Sequence, residues 1–186
     1  MIRGLVLAGG KSSRFGSDKT QATYQGMSLL DRAVMLLGEL DLKPVVATRK
    51  EAGTSSMKCV TIYDKLPEKG PLGGIYTGMT IFKNVSFLVL TCDMPAIKKE
   101  VLLELLEAHE KSRTITLFSL GGIQEPFPGI YEASLYPQIR AHLLSNDLSM
   151  GKLLETCPHR KILDWEGDPA AFNNVNFKKD LPLPAY

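Results

Sequence analysis

The sequence predicts an α/β fold, a three-layer α/β/α sandwich built around a mostly parallel sheet. Two observations support this prediction. Short runs of branched apolar residues alternate along the chain with longer segments of helical periodicity, and several of these runs end at glycine or proline. Strands and helices that alternate in this way form parallel sheets covered on both faces. With 186 residues and no linker or repeat, the chain is expected to form one domain over residues 1–186.

The first strand is predicted at residues 2–8, a short apolar run that ends in two glycines, as buried parallel strands often do. The clearest later strand is Ser86–Thr91, which runs directly into a Cys-Asp-Met-Pro segment. The other predicted strands are 44–47, 58–63, 114–120, 125–131 and 161–165. Apolar residues at helical spacing predict helices at 28–40, 71–82, 99–111, 132–144 and 149–156.

The composition is that of an ordinary globular protein, with 44% hydrophobic and 23% charged residues. The formal net charge of +2 is too small to indicate nucleic acid or an anionic membrane surface as a partner, so neither is expected. No run of residues has the length of a membrane span, and no signal-peptide pattern is present. The three cysteines form no CxxC motif, which favours reduced thiols and a cytoplasmic location.

The segment after the first predicted strand, residues 8–19, combines three glycines with two lysines, an arginine and three serines. Glycines let backbone N–H groups converge on an anion, and the basic side chains add positive charge. The segment is not a Walker A loop, because Leu5 stands where the first glycine is required, and the Gly9-Gly10 doublet breaks the dinucleotide-binding spacing. Its place after a buried strand favours a phosphate site, and a solvated basic loop is the alternative.

Two aspartates are candidates for ligand binding. Asp93 follows the strand Ser86–Thr91, which Pro95 prevents from continuing. A carboxylate beside phosphates is a typical Mg²⁺ ligand, but Asp93 is as readily explained as the N-cap of the following helix. Asp64 lies ahead of a glycine-rich turn at 70–74, and the residues alone leave it open between a ligand-binding carboxylate and an ordinary loop residue.

The stretch LAGGKSSRFGSDK, residues 7–19, resembles the signature LAGGxSxRMGxDK of the nucleotidyltransferases that include the molybdenum cofactor guanylyltransferases (MobA). The one substitution is Phe15, where the family usually has methionine. The resemblance covers nearly the whole chain in order, from Leu7 to Leu181.

Further segments extend the resemblance and imply roles for individual residues. In the family the CDxP aspartate, here Asp93, is the magnesium ligand, and the aspartate before GPLxG, here Asp64, helps to bind the nucleotide. Residues 172–181 resemble the family's FxNINTPEDL segment, and the matching asparagines, Asn174 and Asn176, are implied to bind the acceptor. Amides suit this role because they offer both a donor and an acceptor.

The resemblance implies a Rossmann-like fold of the nucleotide-diphospho-sugar transferase type, with the NTP bound by the N-terminal half and the acceptor by the C-terminal half. The catalytic residues that it implies are Arg14, Lys19 and Asp93. The implied nucleotide-binding residues are Leu7, Ala8, Gly9, Gly10, Lys19, Asp64 and Asp93. Within these sets Leu7, Ala8 and Gly9 face the guanine and ribose, whereas Gly10, Arg14 and Lys19 serve the phosphates.

The activity implied by the resemblance is transfer of GMP from GTP to the terminal phosphate of molybdopterin, with Mg²⁺ as cofactor and pyrophosphate as product. Such an activity also allows partner proteins that deliver the cofactor and apoenzymes that receive it. Two alternatives stay open: a related cytidylyltransferase or sugar-phosphate nucleotidyltransferase, and a nucleotide-binding protein without catalysis. Cytidylyl relatives tend to have LAAG in the first motif, so Gly9 favours guanine.

The three histidines, His109, His142 and His159, match no zinc motif and are predicted at the surface. No G-x-S-x-G segment is present, and Cys92 has no basic neighbour in the sequence. Nucleophilic catalysis by the protein is therefore not expected.

Overall fold

A central seven-stranded sheet organises the structure, a computed structural model that describes residues 1–9, 19–50, 52–66, 68–157, 159–177 and 180. The described strands are β1 (Ile2–Leu7), β2 (Thr23–Tyr24), β3 (Met27–Ser28), β4 (Val45–Thr48), β5 (Val60–Tyr63), β6 (Ser86–Thr91), β7 (Ile115–Leu120), β8 (Ile123–Tyr131) and β9 (Arg160–Asp164). The described α-helices are α1 (Leu29–Glu39), α2 (Gly70–Ile81), α3 (Lys99–Ala108), α4 (Tyr136–Leu144) and α5 (Met150–Thr156).

The strand order is β5-β4-β1-β6-β8-β7-β9, and the pairings β1 with β4, β1 with β6, β4 with β5 and β7 with β9 are parallel. Only β8 runs against its two neighbours in this sheet as described. A separate hairpin joins β2 to β3. The predicted α/β class with a mostly parallel sheet is confirmed.

Apolar side chains of the sheet pack on both faces, which explains the continuous apolar runs of the inner strands. On one face Val6 and Leu88 pack with residues of α1 and α3, including Leu37 and Leu102. The opposite face packs against α2, α4 and α5, and the core residues of these helices are Leu72, Ile75, Met79, Ile139, Leu143, Leu153 and Leu154. Two helical layers therefore sandwich the sheet.

Two details differ from the sequence predictions. The segment predicted as one helix at 132–144 begins with a short 3₁₀ turn, Ala133–Leu135, and α4 follows it. The predicted surface location is wrong for His109, whose side chain is only 4% exposed because both ring nitrogens are held by Thr116 and Glu132. His142 is partly buried, and His159 is exposed.

The carboxyl ends of β1, β4, β5 and β6 meet at one edge of the sheet, because these strands are parallel. Ligands of open α/β sheets bind at this edge, beyond the strand ends. In the part of the chain that the structure describes, no helix has both the length and the apolar character needed to cross a membrane.

Candidate active site

A cavity of about 800 Å³ opens at the carboxyl edge of the sheet, which is the size expected for a nucleotide-sized ligand. Its walls come from the ends of β1, β4, β5 and β6 and from the first turns of α2. The lining residues are Leu7, Ala8, Gly9, Lys19, Thr20, Ala47, Arg49, Asp64, Glu68, Gly70, Pro71, Gly74, Thr91, Cys92, Asp93 and Asn176.

A lysine–aspartate ion pair joins two distant segments of the chain in this cavity. Lys19 Nζ lies 2.9 Å from Asp93 Oδ2, and the two side chains are 14% and 23% exposed. Lys19 Nζ also donates to Asn176 Oδ1 at 3.4 Å. Partial burial lowers solvent screening, so this pair makes a stronger local field than a surface ion pair would.

The second carboxylate oxygen of Asp93 has no hydrogen-bond partner in the part of the chain that the structure describes. Among the described residues, Asp93 Oδ1 is buried and accepts no hydrogen bond. The N-cap interpretation is wrong, because α3 is capped by Lys98, five residues later, and no side chain caps that helix end. The backbone carbonyl of Asp93 accepts from Val175 N at 2.8 Å, which fixes the segment that carries Asn176 beside Asp93.

Asp64 lies across the cavity, at the end of β5, in close contact with two glycines. A Cβ atom on Gly9 would lie 2.8 Å from Asp64 Oδ2, and one on Gly74 would lie 3.8 Å from Asp64 Oδ1 and 2.6 Å from Leu7 Cδ2. Asp64 Oδ1 is buried without a partner in the described part of the chain. Burial therefore raises the pKa of Asp64 to about 6, from an ordinary 3.8.

Most of the site residues predicted from the sequence line this one cavity. They are Leu7, Ala8, Gly9, Lys19, Asp64, Asp93 and Asn176. Asn174 is exposed two residues before Asn176 and is not among the lining residues. The predicted phosphate-binding residues Gly10 and Arg14 lie outside the described residues, so their assignments stay predictions.

The cavity also contains residues to which the sequence assigned no role in the site, among them Arg49, Glu68 and Thr91. Arg49 follows β4 directly, and Thr91 ends β6. Both therefore stand at strand ends on the ligand-binding edge, which is the signal that would have found them. Thr91 Oγ1 is buried and has no hydrogen-bond partner within the described residues.

The donor set in this cavity fits a magnesium ion held partly by the ligand. Within the described ranges, no group of three or more His, Cys, Asp or Glu side chains is arranged to hold a metal ion by itself. Mg²⁺ commonly uses one or two carboxylates together with phosphate oxygens and water. Asp93 supplies one such carboxylate, with an oxygen that has no partner among the described residues.

Comparisons with known proteins agree on one family. A probable molybdenum cofactor guanylyltransferase of Flavobacterium johnsoniae is 31% identical over 180 residues, 95% of this chain and 92% of the relative. The crystal structure of molybdopterin-guanine dinucleotide biosynthesis protein A from Archaeoglobus fulgidus superimposes with a TM-score of 0.79 at 23% identity, covering 97% of this chain and 95% of that one.

A Mycobacterium tuberculosis protein solved in complex with manganese shares the fold, with a TM-score of 0.67 at 12% identity over 90% of this chain and 89% of that one. Residues 4–162 match the family described as the MobA-like NTP transferase domain. This match spans most of the chain and includes most of β1, the turn after β6 that contains Asp93, and the sheet edge where the cavity opens. The chain therefore belongs to the family of MobA-like NTP transferase domains.

Proposed function

We propose that this protein transfers GMP from GTP to the terminal phosphate of molybdopterin and releases pyrophosphate. The observation that carries the proposal is the Lys19–Asp93 pair in a cavity of nucleotide size, at the sheet edge where a nucleotide is expected. The F. johnsoniae relative, named as a guanylyltransferase, supports the choice of GTP and of the molybdenum cofactor.

The base and ribose would occupy the end of the cavity formed by Leu7, Ala8, Gly9 and Asp64. The absence of a side chain at Gly9 leaves space beside the Asp64 carboxylate, where a Cβ would lie 2.8 Å from Oδ2. A partly buried carboxylate needs hydrogen-bond donors, and guanine offers N–H donors on its pairing edge while ribose offers hydroxyls. Asp64 is thus suited to a polar base or sugar edge, in agreement with the guanine preference inferred from Gly9.

The triphosphate would lie towards Lys19 and Asp93, with Gly10 and Arg14 as further phosphate ligands. An ammonium group such as that of Lys19 stabilises negative charge that builds on departing pyrophosphate. The acceptor phosphate is already an anion at neutral pH, so it can attack the α-phosphorus in line without a protein nucleophile. The protein therefore contributes mainly orientation and charge stabilisation.

A divalent cation, Mg²⁺ in this proposal, would be held by Asp93 and the phosphates. When bound, such a cation neutralises phosphate charge and lowers the repulsion between two approaching anions. The Asp93 oxygen without a protein partner among the described residues is the group that suits this role. Lys19 holds the other oxygen at 2.9 Å and so orients the carboxylate in the absence of ligand.

The acceptor would bind on the C-terminal side of the cavity, where Asn176 reaches Lys19 Nζ at 3.4 Å. Asn176 is thereby placed between the nucleotide side and the C-terminal half, and Asn174 precedes it on the same exposed segment. In this proposal both amides contact the acceptor, and the single domain joins an NTP-binding N-terminal half to an acceptor-binding C-terminal half.

The proposal is tested by nucleotide binding followed by turnover. Thermal unfolding is measured with GTP, CTP, ATP and UTP, each with Mg²⁺. A ligand that binds only the folded state at a hundred times its Kd stabilises it by about 2.7 kcal/mol, so selective binding is readily seen. Stabilisation by GTP alone, followed by pyrophosphate release that needs molybdopterin, is expected.

Each other outcome rejects a specific part of the proposal. Selective stabilisation by CTP would make the protein a cytidylyltransferase. GTP binding without pyrophosphate release, with molybdopterin or with sugar phosphates, would make it a nucleotide-binding protein without catalysis. Release with a sugar phosphate but not with molybdopterin would keep the transferase chemistry and replace the acceptor.

A further inference from the structure

Arg32, at the end of the first turn of α1, contacts residues that follow each partner of the Lys19–Asp93 ion pair. Its Nε donates to the carbonyl of Pro95 at 2.6 Å, and Pro95 lies two residues after Asp93. Its Cζ lies 5.4 Å from the centre of the Tyr24 ring, on the strand β2 that follows the 3₁₀ turn containing Lys19. A guanidinium at this distance from an aromatic ring makes a favourable cation–π contact.

The two contacted segments are short and need external support. Lys19 begins a three-residue 3₁₀ turn that leads into the two-residue strand β2, and Asp93 lies in the turn after β6. Elements of this size have few internal hydrogen bonds to define their positions. The separation of Lys19 Nζ and Asp93 Oδ2, 2.9 Å, therefore depends on what holds the two segments together.

Helix α1 provides a fixed base for this support. Ser28 caps the helix by accepting from Asp31 N at 3.0 Å, and the neighbours of Arg32 on the inner face, Leu29 and Ala33, are buried. The position of the Arg32 backbone is thus set by a capped and packed helix. From this fixed position, its side chain contacts the Pro95 carbonyl and the Tyr24 ring and so restrains both.

We infer that Arg32 is a positioning residue that sets the geometry of Lys19 and Asp93 for the transfer reaction. Its described hydrogen bond and ring contact go to Pro95 and Tyr24, so it acts through the backbone after Asp93 and the strand after Lys19. The kinetic part of this inference rests on the proposed function, whereas the geometric part does not.

Arg3 offers a matched control within the same chain. Its Cζ lies 4.4 Å from the centre of the Phe82 ring and its Nε donates to the Lys43 carbonyl at 3.4 Å, so it makes the same two kinds of contact. Arg3 lies at the start of β1, at the opposite edge of the sheet from the cavity. If the loss of any arginine with these two contacts were enough to lower activity, Arg3→Ala would lower it as much as Arg32→Ala.

The kinetic test compares Arg32→Ala, Arg32→Lys and Arg3→Ala under conditions in which all three are folded. Losing a contact that orients a metal-binding residue typically costs about 10- to 100-fold in activity, and Asp93 is the metal-binding residue of the proposed function. We expect Arg32→Ala to lower kcat by that amount, with the KM for GTP changed less than about threefold because the base end of the cavity is built by other strands. Arg32→Lys, which keeps a donor and the positive charge, should recover part of kcat, and Arg3→Ala should keep nearly all of it.

A second measurement needs neither nucleotide nor turnover. Lysines of the free protein are acetylated briefly, and the labelling of each is followed by mass spectrometry. Lys19, only 14% exposed beside Asp93, should label several-fold faster in Arg32→Ala than in wild type, relative to the other lysines, and at the wild-type rate in Arg3→Ala. If Arg32→Ala does not fold, Arg32→Lys is measured instead, with a smaller change in the same direction.

Unchanged Lys19 labelling in the Arg32 variants, or equal losses of kcat in Arg32→Ala and Arg3→Ala, would overturn the inference. If the wild-type protein shows no transfer but Lys19 labelling rises as expected, the positioning role stands and the proposed function fails. If the wild-type protein transfers GMP and Arg32→Ala keeps a normal kcat, the proposed function stands and the positioning role fails.

Discussion

Two cavities lie at opposite edges of the sheet, and they differ in whether their buried polar atoms have hydrogen-bond partners. At the amino edge, a cavity of about 460 Å³ is lined by residues that include Ser86, His109 and Glu132. The Glu132 carboxylate accepts from Ser86 Oγ on one oxygen and meets His109 Nε2 on the other, both at 2.8 Å, and His109 Nδ1 meets Thr116 Oγ1 at 2.8 Å. Every polar side-chain atom of this network has a partner.

The cavity at the carboxyl edge contains buried polar atoms that have no hydrogen-bond partner among the described residues. Oδ1 of Asp64, Oδ1 of Asp93 and Oγ1 of Thr91 are all buried without a partner within the described residues. A buried polar atom without a hydrogen bond costs stability, so a set of them gathered in one cavity indicates a ligand that completes the bonding. Within the described residues, buried polar atoms without a hydrogen bond also occur outside this cavity, at Arg113, His142 and Arg160. It is therefore the concentration of such atoms in one cavity that indicates a binding site.

The largest effect is expected from Asp93→Asn, which should lower turnover by about a hundredfold or more, the scale seen when a preorganised charge partner is lost. The free energy of unfolding should change little, because residues of a functional site are not selected for stability. Turnover with Mg²⁺ and thermal unfolding are the measurements. Asp164→Asn, which changes the terminal aspartate of β9 at the same sheet edge, is the control and should leave turnover unchanged. Near-normal turnover in Asp93→Asn would remove this residue from the reaction.

Lys19→Gln should lower turnover on the same scale, and the double variant with Asp93→Asn should cost much less than the product of the two single losses. Residues that act as a unit are strongly non-additive, and the 2.9 Å pair indicates such a unit. The four kcat values of wild type, both single variants and the double variant form the test. Losses that simply multiply would show that the two side chains act independently.

Gly9→Ala should weaken GTP binding about tenfold, because overpacking costs about 1–3 kcal/mol and the new Cβ would lie 2.8 Å from Asp64 Oδ2. Titration with GTP and with CTP shows whether the loss is specific to guanine. Gly151→Ala in α5, where a Cβ would meet nothing closer than Ser149 Oγ at 3.5 Å, is the control. Equal GTP affinity in Gly9→Ala and wild type would show that the Asp64 carboxylate moves aside without consequence.

His109→Ala tests the hydrogen-bond network at the amino edge. It should lower the stability of the protein and leave its turnover unchanged. It removes a partner of the Glu132 carboxylate, and a buried group left without its hydrogen bond costs about 1–3 kcal/mol. The corresponding fall in Tm is about 2–4 °C per kcal/mol for a chain of this length. Turnover at 25 °C should stay within about twofold of wild type. A large loss of turnover with an unchanged Tm would mean that the amino-edge cavity contributes to function.

Asp64→Asn is expected to have the smallest effect on stability and to change its dependence on pH. Burial raises the pKa of Asp64 to about 6, so the folded protein binds a proton between pH 4 and 6 that the unfolded chain has already released. Wild-type stability should therefore fall as pH rises through this range, and the fall should be smaller in Asp64→Asn. At pH 7 Asp64→Asn should be more stable than the wild type. Because solvent screens a partly buried carboxyl group, this increase in stability should stay below about 1 kcal/mol.

The same substitution separates stability from binding. GTP affinity of the wild type should weaken as pH falls through about 6, because protonation removes an acceptor that the base or ribose needs. Asp64→Asn should bind GTP more weakly at pH 7 and show a flatter pH dependence below it. Identical pH profiles for the two proteins would exclude Asp64 from the nucleotide site.

The parallel part of the sheet is predictable from the sequence because β1 and β6 are buried on both faces and so appear as continuous apolar runs. The direction of β8 was not predicted, although Gly121 and Gly122, both with positive φ, are the residues expected in a tight hairpin turn. The strands β2 and β3 escaped notice because two residues each are too few to show a periodicity.

For the site, the sequence predicted Lys19 and Asp93 in segments that each follow a strand, but it contained no sign of their ion pair. They are 74 positions apart, and their contact depends on how α1 and the turn after β6 pack. Arg49 and Thr91 were given no site role from the sequence, although both stand at the ends of strands that reach the cavity. His109 follows the last apolar position of α3, so the helical pattern gave no reason to expect it inside.

The reversal of β8 within the seven-stranded sheet has a consequence for how this protein family can diversify. Because β8 is antiparallel to β7, the turn that joins them lies at the carboxyl edge, and the glycines in it meet no atom within 4 Å of an added Cβ. Exposed turns of this kind tolerate insertions and exchanges. New residues can be added there, at the carboxyl edge of the sheet, while β1, β4 and β6 keep their contributions to the cavity wall unchanged. If the C-terminal half binds the acceptor as proposed, this turn is a place where contacts to new acceptors can evolve while the proposed nucleotide-binding strands stay the same.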